Sequence, residues 1–236
     1  MTVLERLAEL SSRYRLPAGA QDRLAVLLEL LAQPIAPTAV HEPADAVDVH
    51  VADALAGLDV EQVRDAERIA DLGAGAGVPG LVLAAALPEA EVTLVEAVAR
   101  KGGFLERAVA AMELANARVV VARAEVWTEG RDRHDLVTAR ALAELPVIIE
   151  YAAPLLAPGG ALVAWKGRRD PVEEADGASA AAATGLEPSL PLSVTPFSGV
   201  EERHLYLYLK LGETPPRFPR RPGIARKRPI RASSRG

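Results

Sequence analysis

The stretch Ile69-Ala70-Asp71-Leu72-Gly73-Ala74-Gly75-Ala76-Gly77-Val78-Pro79-Gly80 decides the fold. A short apolar run halts at an aspartate, four glycines fall within eight residues, and an apolar segment follows from Leu81. That order reads as strand, tight turn, helix. Glycines admit positive φ and let a ligand reach bare backbone. The helix start behind them offers unpaired N–H groups at the positive end of its dipole. The pattern points to a nucleotide-like cofactor.

Gly75-x-Gly77-x-x-Gly80 satisfies the dinucleotide fingerprint in its letters, which is a weak match by itself. Asp71 stands two residues before the first glycine, which suits a cofactor lacking a pyrophosphate. A second strand pattern, Glu91-Val92-Thr93-Leu94-Val95-Glu96, ends in an acid 96 − 73 = 23 positions past Gly73. That is close to the ~20-residue spacing of an acid that holds ribose hydroxyls. Dinucleotide and S-adenosylmethionine both remain open on these residues alone.

Outward from the turn, strand patterns at 67–72, 91–96, 117–122, 135–139 and 161–166 alternate with helical ones at 80–87, 98–114, 144–156 and 171–184. Such alternation builds βαβ units and a mainly parallel sheet. Segments near 186–194 and 203–211 follow each other with no helix between them, so that pair is antiparallel. Upstream, Thr2-x-x-Glu5 is a capping box, with Leu4, Leu7, Ala8 and Leu10 at helical spacing. Pro17 marks the start of a second helix striped by Leu24, Leu27, Leu28 and Leu31. Three prolines within 33–43 mark a loop, and Ala44 to Leu58 reads as helix with Val47, Val51, Ala54, Leu55 and Leu58 on one side. The expected organisation is a helical cap over 1–60, an α/β core over 61–212 and a tail over 213–236.

With 236 residues the chain can bury one full core and an appendage. No apolar run approaches the ~20 residues that span a bilayer, and the N-terminus lacks the basic start and apolar stretch of a signal peptide. Cysteine is absent, which excludes disulfides, thiol catalysis and thiolate metal sites. The four histidines, at 41, 50, 134 and 204, have no metal-ligand spacing. A cytoplasmic protein without a metal centre is expected. The net charge of −5 hides an asymmetry: Pro215 to Gly236 carries eight basic residues and no acid, leaving 19 basic and 32 acidic residues in the first 214. Basic arms on acidic bodies seek polyanions. Pro215, Pro216, Pro219 and Pro222 discourage a helix there, so an extended arm is expected.

An open sheet ending in an antiparallel pair, with Asp-x-Gly-x-Gly-x-Gly after its first strand, resembles class I S-adenosylmethionine-dependent methyltransferases, whose Rossmann-like sheet has seven strands. A closer likeness follows from Asp71-x-Gly73-x-Gly75-x-Gly77-x-Pro79-Gly80, Arg100-Lys101, Phe104-Leu105, Arg123-Ala124-Glu125, Arg140-Ala141, Leu156-x-Pro158-Gly159-Gly160, Lys166-Gly167 and Phe218-Pro219-Arg220-Arg221-Pro222-Gly223. From about Asp45 to Pro229 the chain resembles the bacterial 16S rRNA guanine-N7 methyltransferases, also called glucose-inhibited division protein B. It departs from them in the cap. The usual Asn…Asn-Leu-Thr segment is here Ala32-Gln33-Pro34-Ile35-Ala36-Pro37-Thr38, and the usual Arg-His-x-x-Asp-Ser is Val49-His50-Val51-Ala52-Asp53-Ala54.

The resemblance implies S-adenosylmethionine lying over Gly73 and Gly75 with Val78 alongside, its ribose on Glu96, its adenine flanked by Ala97 and Val98 and edged by Ala124 and Glu125. Asp71 would hold the methionyl amine, directly or through water. Arg140, at the end of the fourth strand, would bind the guanine O6 alone, a phosphate or the cofactor's carboxylate. The implied substrate is guanine 527 of 16S rRNA, in the small ribosomal subunit or its assembly intermediate, met by a monomer. Lys166, Arg168 and Arg169 at the sheet edge, and Arg217, Arg220, Arg221, Arg226, Lys227 and Arg228 in the tail, would meet RNA backbone. Deleting residues 215–236 is then expected to weaken RNA binding and spare cofactor affinity. Three rivals stand beside this reading: a methyltransferase-like RNA-binding protein without turnover, a nicotinamide-dependent oxidoreductase, and a small-molecule methyltransferase, in which the arginine arm would have no role.

Overall fold

A computed structural model describes residues 1–200 and 202–233, so Arg235 of the tail lies outside the described residues. The capping box closes as expected: Thr2 Oγ1 accepts from Glu5 N at 3.2 Å and Glu5 Oε2 accepts from Thr2 N at 2.7 Å. Helix α1 (Val3–Tyr14) follows and buries Leu7 and Leu10. Helix α2 (Ala20–Leu31) starts three residues later than Pro17. Gly19 in the left-handed region (φ 78°) and the Ala20 N–Pro17 O bond make Pro17 the opening of a turn instead. After the proline-rich loop, α3 (Pro43–Ala46) runs without a break into a π-helical stretch (Val47–Ala52), α4 (Asp53–Leu55) and a 3₁₀ turn (Ala56–Asp59). One more turn, α5 (Glu61–Arg64), leads to the sheet.

The strands are β1 (Arg68–Leu72), β2 (Glu91–Glu96), β3 (Ala117–Val121), β4 (His134–Arg140), β5 (Leu156–Lys166), β6 (Leu186–Pro188), β7 (Leu192–Ser193) and β8 (His204–Lys210). Helices α6 (Gly80–Ala86), α7 (Ala99–Ala111), α8 (Leu145–Ala152) and α9 (Pro171–Thr184) supply the crossovers. The sheet order is β3-β2-β1-β4-β5-β8-β6, with β7 also paired to β8. The first five strands are parallel and β8 runs antiparallel to β5, with Val163 opposite Leu207. Seven positions across the sheet thus hold eight strands among the described residues, because the outer edge is broken between Pro188 and Leu192. Proline cannot donate to a ladder, and it is tolerated on such an edge.

Strand β5 begins five residues before the predicted 161. The Pro158-Gly159-Gly160 run reads as a breaker, yet His134 pairs with Leu156 through a register shift. Alternation along each strand divides the core in two. Ile69, Leu94, Leu136, Val163 and Trp165 face the cap helices, α6 and α7. Ala70, Leu72, Val95, Val137, Leu162 and Tyr206 face α8 and α9. The cap leucines 7, 10, 24, 27 and 31 belong to the first of these cores, so residues 1–60 share their interior with the sheet.

The tail corrects the sequence expectation most. It is packed against the body, with Phe218 and Ala225 buried, and a short helix α10 (Ile224–Lys227) forms between its prolines. Glu150 on α8 is fully buried and takes the Arg220 backbone N–H and guanidinium at 2.5–3.0 Å. Arg231 and Ala232 N engage Asp176 on α9 at 2.6 and 2.7 Å. Tertiary ion pairing therefore overrides the local preference of a proline-rich basic segment for an extended, solvated chain. No helix of the described residues is long and apolar enough to cross a membrane.

Candidate active site

The carboxyl ends of β1 to β4 open onto a cleft of about 370 Å³, at the point where strand order reverses between β1 and β4. Leu72 and Gly73 form its floor, Glu96, Ala97 and Val98 one wall, and Ala124, Glu125, Tyr151 and Arg226 the far end. Gly73 and Gly75 hold φ of 67° and 55°, a backbone state that L side chains rarely adopt. The turn they make brings Gly75 N to Glu96 Oε2 at 3.0 Å, while Glu96 Oε1 accepts from Val98 N at 2.8 Å. Glu96 is thus fixed at the cleft with both oxygens oriented, which is what a pair of ribose hydroxyls requires. The sequence-derived residues Gly73, Glu96, Ala97, Val98, Ala124 and Glu125 meet in this one place.

Others do not line it. Asp71 is almost fully buried, its Oδ2 accepting from Gly80 N at 3.0 Å and its Oδ1 from Thr138 Oγ1 at 2.9 Å. It ties β1 to the start of α6 and to β4. Gly80 has to lack a side chain here, because an added Cβ would stand 2.3 Å from Leu94 Cδ2 and 2.7 Å from Asp71 Oδ2. Val78 is buried in the core beneath the turn. Lys166 pairs with Glu173 at 2.6 Å and Arg169 makes two bonds to Glu174 at 2.7 Å, so both are engaged by acids of α9. Arg168, strongly exposed and 3.8 Å from Glu202, remains available.

Arg140 leaves β4 just before Ala141, which takes φ 53° and lines the cleft. Its guanidinium serves the cap: Nη1 donates to Val49 O at 2.9 Å and Asp53 Oδ2 at 2.7 Å, and Nη2 to His50 Nδ1 at 2.9 Å. Asp53 is fully buried, and its other oxygen lies 2.6 Å from Arg203 Nε, off line for a hydrogen bond. With Nδ1 accepting, His50 donates from Nε2 to Thr38 Oγ1 at 2.9 Å. The altered cap motifs thus still deliver His50 and Asp53 to a single arginine, with Thr38 holding His50 from its far side. The sequence singled out Arg140 alone, since its partners lie 87 to 91 positions away.

Burial pushes the Asp71 carboxyl up to about 7, against the pull of Thr138, Gly80 and Arg140. Burial, then the Arg140 charge, push His50 down to about 4. The two act on stability with opposite signs. From about pH 4 to 7 native Asp71 keeps a proton that the unfolded chain has lost, so its contribution falls as pH rises. From about pH 4 to 6.5 the unfolded chain protonates His50 and the native state does not, so that contribution rises. Asp71→Asn is expected to steepen the rise in stability between pH 4 and 6.5, measured by urea unfolding. A pH profile identical to wild type would refute the assignment.

The sheet order, glycine turn and acid-ended β2 define a class I methyltransferase fold with a nucleoside-binding cleft. A methyltransferase from Aquifex aeolicus described as SAM-dependent superposes with TM-score 0.56 at 12% identity, over 78% of this chain and 96% of its own, which bears on the fold alone. A predicted O-methyltransferase from Agrobacterium tumefaciens gives TM-score 0.53 at 26% identity, over 68% of this chain and 81% of that one. Residues 21–206 match the family described as rRNA small subunit methyltransferase G, and the chain belongs to that family. A ribosomal RNA small subunit methyltransferase G from Rubrobacter xylanophilus is 41% identical over 80% of this chain and 75% of its own. The relative of that description from Deinococcus deserti is 38% identical over 90% of each.

The donor set suits S-adenosylmethionine. Glu96 presents an oriented carboxylate at the cleft, an acceptor of the kind a ribose diol calls for. An added Cβ on Gly75 would meet only Gly73 O, at 3.5 Å, so the turn's surface is open. The buried Tyr151 hydroxyl at the cleft's far end has no well-directed hydrogen bond to another described residue.

Proposed function

We propose that this protein transfers a methyl group from S-adenosylmethionine to the N7 atom of a guanine in small-subunit (16S) ribosomal RNA. The observation that carries this reading is the Glu96 carboxylate at the cleft, bonded to both the glycine turn and Val98, in a chain of this family. When bound, the cofactor supplies an electrophilic methyl group on a positively charged sulfur. Guanine N7 is an acceptor with a free lone pair, so no proton has to leave before attack and no general base is needed. Alignment of N7 with the methyl group supplies most of the acceleration. Glu96 and the Gly73–Gly75 turn hold the nucleoside, and Arg140 positions the cap that borders the site.

Arg217, Arg221, Lys227 and Arg228 have no acidic partner among the described residues and form the RNA-facing part of the tail. Four such contacts to single-stranded RNA give a log–log salt slope of about −0.7 × 4, near −3. The protein works on the ribosomal subunit or its assembly intermediate, in the cytoplasm and as a monomer.

Tritium transfer to small subunits lacking the modification, followed by mapping of the labelled base, tests the reading. Label on a guanine N7 is the expected result. Bound cofactor with no transfer would favour an RNA-binding protein without turnover, and tight NADH binding in its place would favour an oxidoreductase. Arg140→Ala is expected to lower turnover by at least about tenfold, a cost of about 1.4 kcal/mol in the barrier. It should also raise the His50 pKa from about 4, since a neighbouring positive charge is gone. NMR titration reads the second effect; unchanged turnover with a shifted histidine would confine Arg140 to holding the cap.

A further inference from the structure

The far end of the cleft is built by the C-terminal segment and carries polar groups that the residues named above leave unused. Tyr151, on α8, is only 4% exposed, and its hydroxyl faces Glu125 and Arg226 without a well-directed hydrogen bond to either. A buried hydroxyl without a well-directed partner leaves hydrogen-bonding capacity unused, so a group on a ligand is its natural complement. Beside it stands Arg226 of α10, pinned in place by a 2.9 Å bond from Nη2 to Leu142 O. Glu125 completes the set. It accepts from Arg123 Nη2 and from Gly223 N, each at 3.1 Å and each at Oε1. Although burial opposes it, Arg123 and the Gly223 N–H hold the Glu125 carboxyl below its usual range, so it is an acceptor at neutral pH.

An ionised acceptor next to a hydroxyl and a guanidinium matches one particular edge. Adenine presents an amino donor beside ring-nitrogen acceptors. Hypoxanthine reverses part of that pattern, with a carbonyl in place of the amino group and a protonated N1. We infer that Tyr151, with Glu125 and the tail residue Arg226, reads the adenine edge of the bound cofactor, and that the C-terminal segment is a wall of the cofactor site. This rests on the methyltransferase reading above. The tail then serves two ligands, because the segment that offers Arg217, Arg221, Lys227 and Arg228 to RNA also closes the nucleoside cleft.

Calorimetry on the full chain with S-adenosylhomocysteine and with S-inosylhomocysteine, its deaminated analogue, tests the inference without any turnover. Wild type is expected to prefer the adenine compound at least tenfold. Tyr151→Phe should weaken S-adenosylhomocysteine binding by about tenfold, the size of one neutral hydrogen bond, and narrow the preference. Its melting temperature should not fall, because a hydroxyl without a well-directed partner is removed. Arg226→Gln should weaken the same ligand in the same direction. Wild-type affinity and preference in Tyr151→Phe would overturn the inference and leave the methyltransferase reading intact. Failure of the wild type to bind S-adenosylhomocysteine would remove both.

Discussion

Arg220→Ala is expected to destabilise the protein by about 3–5 kcal/mol, the usual cost of stranding one member of a buried ion pair. Glu150 has no exposed surface, and Arg220 supplies it with a backbone N–H and three guanidinium contacts. Alanine removes the guanidinium and leaves the charge in the interior. For a chain of this size that corresponds to a fall in Tm of about 6–20 °C. The double variant Glu150→Met/Arg220→Met should recover most of the loss, because an apolar pair of similar volume needs no counter-charge. A single variant that melts within a degree or two of wild type would show that the pair contributes little. Truncation after Thr214 should behave like Arg220→Ala and also lower cofactor affinity, since it removes Arg226 from the cleft and Gly223 N from Glu125. This replaces the expectation, drawn from sequence, that the deletion spares the cofactor.

Glu96→Ala is expected to lower affinity for S-adenosylhomocysteine by two to four orders of magnitude. Hydrogen bonds to a charged group contribute about 1.5–3 kcal/mol each, and the proposed ribose contact gives the carboxylate two hydroxyls, so a loss of about 3–6 kcal/mol is expected. The same side chain anchors Gly75 N and Val98 N, so the turn also loses its fixed shape. Glu96→Gln separates the two effects. It keeps one carbonyl acceptor but puts an amide donor where a backbone N–H already points, and it should fall between wild type and alanine. Isothermal calorimetry on both variants decides the matter: affinity within threefold of wild type in Glu96→Ala would exclude the ribose role.

Much of the fold was legible because its signals are local. Strands β1 to β4 and helix α9 lie within a residue or two of their sequence-derived positions, since apolar runs and helical stripes have periods of 2 and 3.6 set by the backbone itself. Glu96 was legible for a related reason: the distance from a glycine turn to the end of the next parallel strand is one crossover long. Pro17 and the Pro158-Gly159-Gly160 run were misread, because the meaning of a proline or glycine depends on what lies across from it.

Sequence alone determined the strand–turn–helix at residues 69–80, the parallel sheet with its antiparallel end, and the acid that ends β2 at the cleft. All three follow from spacing along the chain. Tertiary structure decided which charges are free and which are spent. Asp71, Arg140, Lys166, Arg169 and Arg220 each read as candidates for ligand or RNA, yet each is matched by a partner: Gly80 and Thr138, Asp53 and His50, Glu173, Glu174 and Glu150 respectively. Most of these partners lie far along the chain, and a buried ion pair has no periodic signature. Charge matching acts through space at about 3 Å, and only the folded chain determines which side chains come that close.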